Sequence, residues 1–232
     1  MKLLNLLLIA SIASSWVCEK KKFFVVEREN ESLATIYNGV KRANITGMHD
    51  MNHGVVKFDG KDGYAISRDG FVVKFVPESE KILAEYKTSK SAIGFVIGAN
   101  YVAVANYDDK SVDILDRDLK PLEKIQTGSK NVGIKTYENY LIFSQMENDT
   151  ISVFKDMNEG KNKPDFKLFK EFKDAGELPF DAMIKDEKYI VGFFTSKFFG
   201  VLDLKKMEYK KIDIFLDENR QMVLKVPHFG FW

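Results

Sequence analysis

The stretch YVAVANYDDKSVDIL, residues 101–115, decides the fold. An apolar run, a polar turn and a second apolar run follow one another within it. Alternating and β-branched residues favour extended chain, and Asn, Asp and Lys mark the reversal between the two runs. The same pattern begins at three other tyrosines: YAISRDGFVVKF from Tyr64, YLIFSQMENDTISVF from Tyr140 and YIVGFFTSKFFGVL from Tyr189. A further apolar run precedes each one (GVVKF, AIGFVI, NVGIK, FDAMI), and a more charged run follows (KILAEYKT, PLEKIQTG, FKLFKEF, EYKKIDI). Four strands per unit at a spacing of roughly 40 to 50 residues predict an all-β propeller of antiparallel four-stranded blades. A β-sandwich is the rival, but it needs no such regular unit.

The register of the repeat sorts the ends of the chain. FFVVERENESLATIY, residues 23–37, matches the second and third strands of a unit, so the first blade starts without its inner strand. VPHFGFW, residues 226–232, falls where another inner strand begins. The expectation is about four complete blades plus two partial ones, part of a longer ring.

Composition narrows the function. The 232 residues carry a formal net charge of +1, which gives no footprint for nucleic acid. Lys-rich runs such as EKKKFF and DLKKMEYKK read as solvated edges. Residues 1–18 read as an export leader: Lys2, then an apolar run too short to span a bilayer, then small residues. Cys18, the only cysteine, stands where a lipoprotein signal places its acylated residue, although Trp16 and Val17 before it are bulky. One cysteine excludes an internal disulfide and a CxxCH haem attachment site. Residues 19–232 form the propeller domain, expected in the periplasm on a lipid tether.

Three histidines serve the whole chain: His49, His53 and His228. In a blade, the loop entering the inner strand and the turn between the second and third strands open on one face. His53 precedes GVVKF, His228 holds the matching place, and Arg68 lies in the SRDG turn. These three are expected around one mouth of the channel, with Asn106 and Tyr107 of the next turn nearby. His49 and His53 are four apart, but the Gly and Asp residues around them make a loop, with no donors to complete a zinc set.

The segments NHGVVKFDGKDGYAISRDGFVVKF, YVAVANYDDKSVDILDRDLKPLEKIQTG, LPFDAMI and KVPHFGFW occur in an order that resembles the cytochrome d1 propeller family. FFVVERENESLATIYNG resembles that family's first blade. With no haem c motif, the chain is most similar to the NirF-type haem d1 biogenesis branch. The resemblance implies binding of haem d1 or its tetrapyrrole precursor at the channel mouth, and maturation of that cofactor. It implies His53 as axial ligand of the haem iron, Arg68 on a macrocycle carboxylate and His228 as distal group, with His53 and His228 catalytic if the chain is an oxidoreductase of the dehydrogenase type. Asn106 and Tyr107 would line the pocket. Implied partners are other haem d1 biogenesis proteins or nitrite reductase, and the membrane through Cys18. Two other readings stand beside this one: an exported scaffold without enzymatic activity for protein partners, and a fragment related to cytochrome cd1 nitrite reductase. The family's eight blades exceed what 232 residues supply, so the ring is expected to be incomplete at its C-terminus.

Overall fold

The structure, a computed structural model, describes residues 21–161 and 163–213. They form one three-stranded and four four-stranded antiparallel sheets. The first holds β1 (Lys22–Glu27), β2 (Ser32–Tyr37) and β3 (Val40–Thr46). The second holds β4 (Val55–Phe58), β5 (Gly63–Ile66), β6 (Phe71–Val76) and β7 (Lys81–Lys87). The third holds β8 (Ala92–Ile97), β9 (Tyr101–Asn106), β10 (Ser111–Asp116) and β11 (Pro121–Gln126). The fourth holds β12 (Asn131–Tyr137), β13 (Tyr140–Gln145), β14 (Thr150–Asp156) and β15 (Phe166–Phe172). The fifth holds β16 (Pro179–Lys185), β17 (Lys188–Phe193), β18 (Phe198–Asp203) and β19 (Glu208–Asp213). Within every sheet the strands lie in chain order.

The core explains why the second strands are apolar throughout. Val102 and Val104 of β9 pack toward the second sheet, with Ile66 and Val72. Tyr101, Ala103 and Ala105 of the same strand pack toward the fourth, with Leu141 and Phe143. Successive side chains of a strand point to opposite faces, so a strand buried on both faces has no polar register. Two more clusters fill the seams between the first and second sheets and between the fourth and fifth. Each buried Leu, Ile or Phe contributes about 1.5–3 kcal/mol.

Backbone hydrogen bonds repeat from blade to blade and fix the faces. The first residue of each turn between second and third strands donates its N–H to the loop entering the inner strand. The pairs are Arg68 to Asp50, Tyr107 to Ser91, Met146 to Lys130 and Phe194 to Leu178. The chain leaving each outer strand donates to that same turn: Thr88 to Gly70, Thr127 to Lys110 and Ala175 to Asp149. Met48 donates to Glu31 in the same way, which identifies β1–β3 as the second, third and fourth strands of their blade. Opposite this face, turns are closed by aspartates. Asp116 Oδ1 accepts from the N–H groups of Asp118 and Lys120, and Asp203 Oδ1 from those of Lys205 and Lys206.

Tyr64, Tyr101 and Tyr189, at or near the start of second strands, join neighbouring blades. Tyr64 donates to the Arg117 carbonyl at 2.9 Å, and the Tyr101 hydroxyl meets Thr136 Oγ1 at 2.7 Å. Arg117 in turn pairs with Asp59 and donates to the Gly98 carbonyl.

Candidate functional site

A cavity of about 330 Å³ lies where the inner strands β4, β8, β12 and β16 face one another. Strict alternation would give each strand every second residue to the wall. Three of the four strands break that rule. Their pairing with the second strand shifts between Ala92 and Gly94, between Val132 and Lys135, and between Pro179 and Ala182. A bulge re-aims the side chains that follow it. Consecutive residues therefore reach the wall: Ile93 and Gly94, Gly133 and Ile134, Phe180 and Asp181. Gly133 has φ +60° and lies against the Phe180 carbonyl and the Tyr189 hydroxyl, where a Cβ would sit 3.0–3.2 Å from its neighbours.

His53 lines this cavity at its rim. It occupies the left-handed region at φ +63°, in a turn closed by the Gly54 N–H to the Met51 carbonyl at 2.9 Å. Met51 is fully buried beneath the turn, and the Asn52 N–H is held by Asp50 Oδ1. A non-glycine residue in this conformation stores strain of about 1 kcal/mol or more, and such positions gather at functional sites. His49, also at positive φ, is consumed by structure: its ring stacks on Phe71 at 3.6 Å, and Nε2 lies 3.0 Å from Glu85.

Two further cations line the wall that the sequence reading did not single out. The Lys57 ammonium donates to the Phe95 carbonyl across the seam and lies 5.1 Å from that ring. Burial pushes Lys57 down to about 8; the charge of Lys135 adds to this and that of Asp181 opposes it. Lys135 is also pushed down by burial, against the pull of Asp181, whose carboxylate is 3.9 Å away. The signal was available: GVVKF and NVGIK both carry a lysine late in an inner strand.

The remaining expected site residues are placed as follows. Arg68 is tied by its backbone to Asp50, in the same loop cluster as His53, but its side chain is not part of the cavity wall. Asn106 and Tyr107, expected as pocket lining, are not brought to the wall. Asn106 is fully buried, and its amide donates to Ser111 and Asp113 of its own blade. The Tyr107 side chain lies against the next blade, its hydroxyl on Met146 Sδ and its ring beneath the Lys130 ammonium at 4.7 Å. The turn lies on the expected face but does not line the cavity. His228 and Cys18 lie outside the described residues.

No protein-family model matches the sequence, and no curated protein matches it either. Solved structures do. The chain is similar to dihydro-haem d1 dehydrogenase NirN in complex with DHE, with a TM-score of 0.70 and 19% identity, over 83% of this chain and 44% of that one. The fold is a β-propeller. A protein of unknown function from Desulfotomaculum acetoxidans DSM 771 matches the propeller at TM-score 0.66 and 16% identity, over 82% of this chain and 65% of that one. The computationally designed Ika8 protein matches at TM-score 0.63 and 12% identity, over 80% and 56%. The propeller described here thus spans less than two thirds of each of these three chains.

Proposed function

We propose that this propeller binds haem d1 or a tetrapyrrole precursor of it at the mouth of its channel, as a NirF-type maturation protein. The observation that carries the reading is His53 on the rim of the cavity walled by four inner strands, in a fold shared with NirN. The wall suits such a ligand: Ile93, Ile134 and Phe180 offer an apolar surface to a flat macrocycle, and cationic side chains stand beside it. His53 would hold the iron of such a ligand through an imidazole nitrogen. Arg68, from the same loop cluster, holds a macrocycle carboxylate with its planar fork of donors. On sequence register alone, His228 would be the group that moves a proton during oxidative tailoring of the macrocycle. When bound, the tetrapyrrole's iron would supply redox chemistry, an external electron acceptor would take the electrons of such an oxidation, and the chain would supply position and protons.

The test is a titration of the purified protein with haem d1 and with didecarboxysirohaem. A shifted Soret band in wild type that is lost in His53→Ala supports the reading; a wild-type spectrum that does not respond to either ligand overturns it. The reading includes a lipid anchor at Cys18 and a periplasmic location, tested by labelling cells with a palmitate analogue and comparing Cys18→Ala.

The second reading, an exported scaffold for protein partners, has one observation of its own. β1 pairs with a strand on one side only among the described residues, and Phe23 and Val25 on it are half exposed. An open edge of this kind accepts added strands. Capture of a protein partner that survives His53→Ala and needs no tetrapyrrole would favour it.

A further inference from the structure

We infer that the open edge of β1 is the seat of residues 227–232 of the same chain, PHFGFW, which pair with it as the missing inner strand of the first blade. The inference concerns how the channel wall is completed, and it stands without any ligand.

The edge itself limits what can fill it. β1 is the second strand of its blade, so its unpaired side faces the channel that β4, β8, β12 and β16 line. An edge turned toward a channel suits a single extended segment rather than the rim of another folded sheet. The first blade also lacks one bond of the rim. In the other four, the turn between second and third strands donates an N–H to the loop entering the inner strand; the Arg28 N–H, at the matching place, has no such acceptor among the described residues. Two aromatic rings beside the gap are half exposed, Phe23 on β1 and Phe58 on β4.

The sequence supplies the strand that fits. Residues 227–232 lie outside the described residues, and they begin with Pro227 as β16 begins with Pro179. On β16, Pro179 faces Phe193, the last residue of its second strand; a bulge follows, and Ala182, Met183 and Ile184 face Val191, Ile190 and Tyr189. Carried to β1, which ends at Glu27, that register sets Pro227 against Glu27, Gly230 against Val25, Phe231 against Phe24 and Trp232 against Phe23. Phe231 then joins the rings of Phe24, Phe58 and Phe75, and Trp232 covers Phe23. The Val226 carbonyl accepts from Arg28, as that of Leu178 does from Phe194. His228 takes the place that Phe180 holds on the cavity wall.

Length favours this edge over a sixth blade. The links from an outer strand to the next inner strand are 47–54, 88–91, 127–130 and 173–178, four to eight residues each. Residues 214–226 are thirteen, more than an adjacent blade needs. Extended, they reach roughly 45 Å, enough to cross the mouth of a channel.

The experiment is hydrogen–deuterium exchange on the full chain without tetrapyrrole, read by mass spectrometry of peptides from β1 and β9. In wild type the β1 amides are expected to exchange about as slowly as those of β9, which is paired on both sides. Adjacent N–H groups of a strand point to opposite sides, so the double variant Gly230→Pro, Phe231→Pro removes whichever donor faces β1. It is expected to speed β1 at least about tenfold and to leave β9 unchanged. If the proline variant loses β9 protection as well, Phe231→Asp, which sets a charge against the Phe24 cluster, is read in its place. Fast exchange on β1 in wild type, or slow exchange that neither variant alters, overturns the inference. Protection of β1 that appears only with a dimer in sedimentation overturns it too, because the strand then comes from a second copy. No ligand enters these measurements, so a failed haem d1 titration and a failed strand closure are read separately.

Discussion

Tyr189 of the fifth blade donates its hydroxyl proton to the Gly133 carbonyl of the fourth, 2.8 Å away, and stands 2.9 Å from Ser144 Oγ of that same blade. The tyrosine is fully buried, so the two partners lose their hydrogen bonds to water when the blades meet. Gly133 is also the bulge residue of the channel wall. The hydroxyl thus locks a seam and a wall segment together. Tyr189→Phe leaves both partners unsatisfied and is expected to cost about 1–3 kcal/mol in urea denaturation. A loss below about 0.5 kcal/mol would show that the seam closes without it.

Lys57 makes stability depend on pH. Its folded value, about 8, lies below the ordinary 10.5, so the folded state releases this proton before the unfolded state does. Stability from this group is lowest below pH 8 and rises between about 8 and 10.5. The full depression corresponds to about 3 kcal/mol. Lys57→Met removes the penalty: the variant is expected to be more stable than wild type at pH 7, and to lose that advantage toward pH 10.5. Chemical denaturation at several pH values reads both effects, and a variant less stable at pH 7 contradicts the assignment.

The two neighbouring histidines are expected to respond in opposite ways. His49→Ala removes a stacked ring and a contact to Glu85, costing about 0.5–1.5 kcal/mol with no effect on ligand binding. His53→Gly suits the φ of +63° better than histidine does, and gains about 1 kcal/mol while abolishing the Soret response. Thermal melts and haem d1 titrations of the pair decide it. If His49→Ala abolishes the response and His53→Gly does not, the axial role moves to the wrong side of the loop for this channel.

Gly70 cannot carry a side chain. Its φ is +91°, and a Cβ there would meet the Ser89 carbonyl oxygen at 2.0 Å. Its own carbonyl accepts from both the N–H and the hydroxyl of Thr88. Gly70→Ala is expected to cost at least about 2 kcal/mol, and circular dichroism melts will show it.

The blades were legible in the sequence because β9 and its equivalents are buried on both faces, which leaves long apolar runs that turns alone interrupt. Three of the four tyrosines that align them, Tyr64, Tyr101 and Tyr189, each reach an adjacent blade. The place of His53 beside the cavity was legible because a loop entering an inner strand has few places to go. Lys57 and Lys135 were not singled out, since a lysine at the end of an apolar run reads as a solvated tip. Three inner-strand bulges displace the alternation by one residue, and no residue type announces where that happens. Asn106 and Tyr107 lie off the cavity wall for a different reason. Register gives the face of a blade on which a turn lies, but distance from the axis is set by local hydrogen bonds, here to Ser111 and Asp113.

The bonds that seat the rim run from main chain to main chain. Their donors are Arg68, Tyr107, Met146 and Phe194, four unlike side chains in one structural role. Of the twenty residues, only proline lacks the required N–H. Mutation can therefore rewrite the chemistry presented at the mouth, one position at a time, without loosening the support beneath it. A scaffold of this kind can change its ligand while keeping its shape.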